Sequence, residues 1–327
     1  MRTAMRSGCS LGAALAAMVL ATFVVTASAP ADAKASVDGS NARYAVGTRS
    51  YTFVDRHRRT APNGSYPGAA TRTLRTLLLY PAKGDRQGPA VKGARPIQTR
   101  RGFPLIVFSH GFGASGPAYQ FLLERYVRQG YVVAAPTFPS SSGGAPGGPK
   151  GGDYVNQPAD VSFVLSRVLG LKRYRGVRRK AIDRRHIGVA GHSLGGITTL
   201  GLASNTCCRD RRIDAAVAFS GIGLPFRGGT FSAKRTTPLM LVHGSQDRTV
   251  PYAGSLNAYE QAGGPRVLLR LKGGPHVPFF APWLKPTIRS TTDFLDGFLK
   301  HDREALRRLS RDGTVPGVTS VRTDLRR

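Results

Sequence analysis

Acidic residues and cysteines are scarce in this chain of 327 residues. It has 18 Asp and Glu against 48 Lys and Arg, which gives a formal charge of +30, and it has only three cysteines. The seven histidines show no metal-ligand spacing and the cysteines supply no metal framework, so we expect no metal site. A disordered chain is excluded, because 41% of the residues are hydrophobic and this length can bury one large core.

Long apolar runs are scarce too, and the chain has one, from Leu11 to Val25. Arg2 and Arg6 precede it and small residues follow it up to Ala33, which is the pattern of a secretory signal peptide. We therefore expect residues 1–33 to be removed on export and the protein to be secreted. An uncleaved membrane anchor is the alternative, because the run is near the lower length limit for spanning a bilayer.

Cleavage near Ala33 removes Cys9 but little of the charge. Two arginines and one aspartate lie in residues 1–33, so the formal charge falls only from +30 to +29. The remaining cysteines, Cys207 and Cys208, are adjacent in the sequence. In an exported protein they either close a vicinal disulfide or stay as free thiols, and both readings are open at this point.

Behind the signal peptide we expect a flexible leader at 34–47, one catalytic domain at 48–301 and a basic tail at 302–327. Two stretches rich in β-branched and aromatic residues, Tyr51–Asp55 and Thr71–Tyr80, predict a pair of antiparallel strands.

Beyond this hairpin, short unbroken apolar runs alternate with helix-like segments, which is typical of a parallel sheet covered on both faces. A stretch rich in Gly and Pro, 143–152, is predicted to be a surface loop above the sheet. The sequence therefore predicts an α/β fold, with a mostly parallel central sheet, an antiparallel N-terminal hairpin, helices on both faces and no large lid. The predicted parallel strands are 105–108, 131–135, 187–190, 215–219, 239–242 and 267–271, and the predicted helices lie near 117–128, 156–170, 194–204, 254–262 and 287–300.

The pentapeptide Gly191-His192-Ser193-Leu194-Gly195 lies between a predicted strand and a predicted helix. This is the Gly-x-Ser-x-Gly pattern of a nucleophile elbow, in which the serine sits on a strained turn and the glycines avoid collisions with neighbouring backbone. Ser193 is therefore the predicted nucleophile. We interpret the adjacent His192 as a packing residue without a catalytic role.

A serine hydroxyl needs a base, and the base needs an orienting carboxylate. Asp247 and His276 each follow a predicted strand, so we expect both at the edge of the sheet that carries Ser193, in the order Ser, Asp, His. Asp214 is the rival acid, but it precedes its strand and is expected at the opposite edge.

The oxyanion of a tetrahedral intermediate needs preorganised backbone N–H donors. One comes from the residue after the nucleophile, here Leu194, and the other from the loop after an earlier strand. Ser109-His110-Gly111-Phe112-Gly113 is that loop, and the Phe112 N–H is the predicted second donor.

These motifs resemble those of the α/β-hydrolase superfamily over about residues 48–300. Val107–Gly113, the strand leading to Ala135-Pro136, Gln157–Val161 and Gly191–Gly196 are similar to segments of one group within it. That group contains bacterial platelet-activating-factor acetylhydrolase-like proteins, cutinases and polyester hydrolases, chlorophyllase and dienelactone hydrolase. The resemblance implies a carboxylester hydrolase without a cofactor.

The chain departs from two members of this group. Plasma-type acetylhydrolases place the acid after the strand that follows the nucleophile helix, whereas Phe219–Ile222 contains no carboxylate here. Asp247 lies one strand later, as in cutinases and dienelactone hydrolases. Dienelactone hydrolase itself uses a cysteine nucleophile, so a serine at 193 disfavours that reaction.

An apolar acyl group needs apolar walls. Phe112, Phe279, Phe280 and Trp283 are the candidates, and ordinary core packing is an equally open reading for the phenylalanines. The short segment 220–237, where lipases often carry a lid, predicts an open site for short or medium acyl esters.

The expected function is therefore that of a secreted serine esterase, acting as a monomer on an ester substrate. A serine peptidase or acyltransferase on the same fold is one alternative, and a basic binding protein without catalysis is another. Basic residues cluster at 172–185 and in the tail. Because no nucleic-acid motif accompanies them, we expect no nucleic-acid partner and, at most, loose association with an anionic envelope or lipid surface.

Overall fold

The computed structural model describes residues 42–171, 181–232 and 237–326. The predicted signal peptide, most of the predicted leader and residues 172–180 of the basic run lie outside the described residues. Within the described ranges, no helix combines the length and the apolar character that a bilayer span requires.

One mixed sheet of ten strands runs through the described residues, in the spatial order β10-β9-β8-β7-β6-β4-β5-β2-β1-β3. Neighbours from β9 to β5 are parallel, whereas β2 pairs antiparallel with both β1 and β5, and β10 pairs antiparallel with β9. The strands are β1 (Ala45–Asp55), β2 (Arg72–Ala82), β3 (Val91–Lys92), β4 (Phe103–Ser109), β5 (Val132–Thr137), β6 (Ile182–His192), β7 (Ala215–Phe219), β8 (Leu239–Gly244), β9 (Arg266–Leu271) and β10 (Thr319–Asp324).

Helices cover both faces of this sheet and bury two apolar clusters against it. Residues of α2, α3 and α4 contribute to the cluster on one face, and residues of α1, α5 and α6 to the cluster on the other. Strands buried on both faces need apolar side chains along their length, which is why β7, β4 as far as Phe108 and β8 as far as Val242 are apolar runs. The helices are α1 (Gln120–Arg128), α2 (Gln157–Leu169), α3 (Leu194–Ser204), α4 (Tyr252–Gln261), α5 (Leu284–Leu299) and α6 (Arg303–Gly313), with short 3-10 helices at Pro117–Tyr119 and Gly151–Asn156.

The predicted α/β fold is confirmed, including the antiparallel N-terminal hairpin and the six central strands. The Gly- and Pro-rich stretch is a loop as predicted as far as Lys150, after which Gly151 and Gly152 begin a 3-10 helix. This loop is anchored where the Asn63 side-chain amide donates to the carbonyls of Pro146 and Gly148.

Two predicted boundaries differ from the structure. The leader at 34–47 overlaps β1, because Ala45, Val46 and Gly47 pair with β2. The basic tail at 302–327 is part of the fold rather than an appendage. In it α6 buries Ala305 and Leu309, and β10 completes an edge of the sheet beside β9.

Candidate active site

Ser193 lies on the sharp turn between β6 and α3, with a backbone φ of 56°, a region that residues other than glycine rarely adopt. A Cβ on Gly191 would lie 2.2 Å from the Gly195 carbonyl oxygen, and a Cβ on Gly195 would lie 2.1 Å from the Ser109 carbonyl oxygen. Both positions therefore require glycine, and the sequence motif is a packing requirement of this turn.

Three side chains from loops at one edge of the sheet form a continuous chain of hydrogen bonds. Ser193 Oγ lies 2.8 Å from His276 Nε2, and His276 Nδ1 lies 2.7 Å from Asp247 Oδ2. A carboxylate only accepts, so His276 Nδ1 carries a proton, and Nε2 is left to accept the proton of the Ser193 hydroxyl. The structure thus brings together the three residues that the sequence predicted as nucleophile, base and acid.

The Asp247 carboxylate is fully buried, and both of its oxygens are occupied. Oδ1 accepts the backbone N–H groups of Thr249 and Val250, each at 2.8 Å. Oδ2 accepts from His276 and, at 3.0 Å, from Nε2 of His243. Burial alone would raise the pKa of Asp247, but the bonds from His243 and His276 hold that pKa well below its usual range. The carboxylate is therefore ionised when the site operates.

His243 is a residue of the site that the sequence reasoning missed. Its Nε2 also lies 3.0 Å from the Val250 carbonyl, and its Nδ1 lies 2.7 Å from Ser255 Oγ. Because the carboxylate of Asp247 and the carbonyl of Val250 only accept, His243 Nε2 carries a proton. The available signal was its position, four residues before Asp247 at the end of a strand.

The two predicted oxyanion donors flank the elbow. Leu194 is the first residue of α3, and the first N–H groups of a helix have no partner within it, so the Leu194 N–H is available. Phe112 belongs to the loop after β4, which abuts the elbow because Gly195 packs directly on the Ser109 carbonyl. Gly113, at φ of 71°, turns this loop and donates its N–H to the Ser141 carbonyl at 2.9 Å.

Apolar side chains are exposed around this edge of the sheet. Phe112 is 46% exposed and Phe280 is 47% exposed. The ring of Phe280 lies 5.3 Å from that of Trp283, whose indole N–H donates to the Lys272 carbonyl at 3.0 Å. These three rings remain candidates for contact with an apolar substrate.

Of the two readings left open for Phe279, acyl contact and core packing, the structure favours core packing. It is only 6% exposed, and its ring packs 5.1 Å from that of His192 and 5.5 Å from that of Phe219. It supports the site from within the core instead. His192 is also more than a packing residue, since its Nε2 lies 2.8 Å from the His276 carbonyl oxygen.

The remaining candidates lie away from the reacting atoms. Asp214 is at the opposite edge, where its Oδ2 accepts the Ile187 N–H at 3.0 Å. Cys207 and Cys208 form a disulfide just after α3, and Cys208 packs against an apolar cluster that includes Leu194. In the part of the chain that the structure describes, no group of three His, Cys, Asp or Glu side chains is arranged to hold a metal ion.

Comparisons with known proteins show which families and folds this chain is similar to. A family model described as Chlorophyllase matches residues 94–251, a little under half of the chain. Among curated relatives, the platelet-activating factor acetylhydrolase of Cavia porcellus is 23% identical over 260 residues, covering 67% of this chain and 58% of the relative. The protein of the same name from Canis lupus familiaris is 24% identical over 224 residues, covering 56% and 49%. The chain thus spans about half the length of these curated relatives.

Among solved structures, a ferulic acid esterase from Streptomyces cinnamoneus superposes with a TM-score of 0.63 at 24% identity, covering 86% of this chain and 96% of that one. At this identity the likeness concerns the fold. Taken with the strand order and the serine elbow, these similarities show that the chain has the α/β-hydrolase fold and is similar to esterases of that fold.

Proposed function

We propose that this protein is a serine carboxylester hydrolase. The observation that carries the proposal is the hydrogen-bonded chain from Ser193 through His276 to Asp247. The names of two similar proteins, an acetylhydrolase and a ferulic acid esterase, support the same reaction class.

In the proposed reaction Ser193 Oγ attacks the ester carbonyl carbon while His276 Nε2 takes the hydroxyl proton. The N–H groups of Leu194 and Phe112 donate hydrogen bonds to the former carbonyl oxygen and so stabilise its negative charge. His276 then gives its proton to the leaving alcohol, and an acyl-enzyme remains on Ser193. Water activated by His276 attacks that ester, releases the acid and restores the serine.

Asp247 contributes to these reaction steps through His276. While ionised, it keeps the proton on His276 Nδ1, so that Nε2 always faces Ser193 as an acceptor. It also stabilises the imidazolium that forms as the serine proton is transferred. Its own hydrogen bonds to Thr249 and Val250 fix the direction in which it points.

The proposed substrates are esters with short or medium acyl groups. Phe112, Phe280 and Trp283 offer apolar contact at the edge of the cleft. The segment 220–237 is too short for a large lid, so we expect no jump in rate when a long-chain ester passes its solubility limit.

A series of chromogenic esters of increasing acyl length, measured beside matched amides, tests the proposal. Replacing Ser193 by Ala should lower kcat by at least about 10⁴-fold, because the nucleophile is lost and only binding remains. Ser310→Ala, the same change at an exposed position on α6, is the control and should leave turnover unchanged. Full ester turnover by Ser193→Ala would refute the assignment, and faster cleavage of amides than esters would favour a peptidase.

We also propose that the protein is exported with loss of residues 1–33, as a chain with a formal charge of +29. The basic N-terminus, the apolar run and the small residues after it support this. Sequencing the N-terminus of the exported protein checks it, because a mature chain that still begins at Met1 contradicts cleavage.

A further inference from the structure

We propose that His192 and Tyr119 are positioning residues, which hold the main chain of His276 and the oxyanion loop, Ser109–Gly113, in register with Ser193. The inference rests on the proposed ester hydrolysis. Neither side chain faces the reacting atoms, and both act through the backbone of residues that do.

The direction of each hydrogen bond in this network follows from the groups involved. His192 is 3% exposed, and burial together with the nearby His276 lowers its pKa to about 3, so its ring is neutral. Its Nε2 lies 2.8 Å from the His276 carbonyl oxygen, which only accepts, so Nε2 carries the single ring proton. His192 Nδ1 must therefore be an acceptor.

Tyr119 supplies the proton for that acceptor. Its hydroxyl lies 2.8 Å from His192 Nδ1, and burial raises the pKa of the hydroxyl, so it stays protonated. The Tyr119 hydroxyl donates its one hydrogen bond to His192 Nδ1. Its oxygen in turn accepts the Gly111 N–H at 3.3 Å. The chain of bonds thus runs without a break from Gly111, next to the oxyanion donor Phe112, to the main chain of the base.

His110 fixes the other side of Gly111 in the same way. It is fully buried, and burial lowers its pKa to about 4. Its Nε2 accepts the Phe138 N–H at 2.9 Å, so Nδ1 carries the proton and donates to the Gly111 carbonyl at 2.7 Å. Gly111 is therefore held at its N–H by Tyr119 and at its carbonyl by His110.

The His276 carbonyl has a second donor in Ser220, whose Oγ lies 3.0 Å away. Ser220 follows β7 and has a φ of 47°, an uncommon value for a residue with a side chain. His276 is consequently held at its two ring nitrogens and at its carbonyl. Since His192 adjoins Ser193 in the sequence, a shift of the elbow carries the base with it.

The consequence is that nucleophile, base and oxyanion donor share one buried polar network. A misplacement of about 1 Å between reacting groups can cost about 10²-fold in rate. Binding of the ester depends on the exposed rings rather than on this network, so its loss should lower kcat and leave KM nearly unchanged.

Three variants test the proposal with a soluble aryl ester. Tyr119→Phe removes only the hydroxyl and should lower kcat about tenfold, with KM changed less than about twofold. In His192→Gln the longer side chain can place its amide N–H where His192 Nε2 donates to the His276 carbonyl. In His192→Asn the shorter side chain can place its amide oxygen only where His192 Nδ1 accepts from Tyr119. We expect kcat to be higher in His192→Gln than in His192→Asn.

The matched control is Tyr126→Phe. Tyr126 lies on α1, seven residues after Tyr119, is 2% exposed, and its hydroxyl lies 2.8 Å from Thr291 Oγ1. Thermal melting of each variant separates loss of fold from loss of rate. Equal effects of Tyr119→Phe and Tyr126→Phe on kcat, or a higher kcat in His192→Asn than in His192→Gln, would overturn the proposal.

Imidazole ¹⁵N NMR gives a readout that does not need turnover. His192 should show a protonated Nε2 and a bare Nδ1 above about pH 5, and Tyr119→Phe should move the signals of both His192 and His276. An inactive wild type that shows this coupling would refute the proposed hydrolysis but not the network. An active wild type without the coupling would refute the network alone.

Discussion

At the residue scale, the position of a side chain could be predicted wherever a strand end determines it. Ser193, Asp247 and His276 each follow a parallel strand, and carboxyl ends of parallel strands meet at one edge. The supporting residues could not be predicted in this way. Tyr119 and His192 are 73 residues apart and meet only in the folded chain, and periodicity carries no information about such a pair.

The same substitution, made at each of the two candidate acids in turn, shows which of them orients His276. Asp247→Asn should lower kcat by roughly 10³- to 10⁴-fold, because an amide no longer holds the proton on His276 Nδ1. Asp214→Asn is the matched control, since Asp214 bonds a strand backbone at the other edge. Steady-state kinetics with one soluble ester decides it, and a comparable loss in both variants would count against Asp247 as the acid.

At the element scale, apolar strands and helices were predictable because their burial shows in the sequence. The segment 302–327 was not, because its helix buries only a narrow stripe and exposes several arginines, so that its composition resembles a solvated tail. Asp302 caps this helix, because its side chain accepts the Ala305 N–H at 3.0 Å.

A buried ion cluster joins the N-terminal hairpin to the helix that follows the Gly- and Pro-rich loop. Arg72 on β2 is 1% exposed and donates to both Asp153 and Asp160. The side chain of Asp160, on α2, is fully buried. Its Oδ1 also pairs with Nη1 of Arg58, at 2.7 Å. Arg72 therefore connects β2 to the 3-10 helix Gly151–Asn156 and to α2, and the sequence reasoning did not predict this ion cluster.

Replacing Arg72 by Met should lower the free energy of unfolding by about 3 to 5 kcal/mol at pH 7, because it removes the buried cation that Asp153 and Asp160 share and leaves Asp160 with Arg58 alone. Burial already raises the pKa of Asp160 against the pull of Arg72, and losing Arg72 raises it further. A carboxyl with a higher pKa folded than unfolded binds more protons when folded, so stability falls as pH rises through that range. The deficit should therefore be smaller at pH 5 than at pH 7.

Urea unfolding at the two pH values measures this difference. Arg75→Met is the control, since Arg75 lies on the same strand, three residues on, and is exposed. We expect it to change stability by less than about 0.5 kcal/mol. An Arg72→Met deficit that is equal at pH 5 and pH 7 would contradict the linkage to buried carboxylates.

At the scale of the whole molecule, most of the acidic residues that the structure describes form ion pairs with Arg or Lys. The surplus of basic residues is left to the surface, as with Arg184 and Arg185, the exposed described end of the basic run. The proposed catalytic groups include none of the arginines or lysines, so charge and chemistry are separate features of this molecule. Acidic residues paired with Arg or Lys include Asp55, Asp153, Asp160, Asp210, Asp293, Asp296, Asp312, Asp324, Glu124, Glu260 and Glu304.

Because charge and chemistry are separate, we expect salt to weaken binding of the protein to anionic surfaces and to leave the rate of ester hydrolysis nearly unchanged. Binding of the protein to vesicles that contain an anionic lipid should weaken steeply as salt rises, because the screening length falls from about 10 Å at 0.1 M to about 3 Å at 1 M. Hydrolysis of a soluble, uncharged ester should change less than about twofold over the same range. Vesicles of neutral lipid alone are the control, and co-sedimentation measures binding to both kinds of vesicle. Binding that is equal on neutral vesicles, or that persists at 1 M salt, would mean that apolar contact rather than the basic surface holds the protein there.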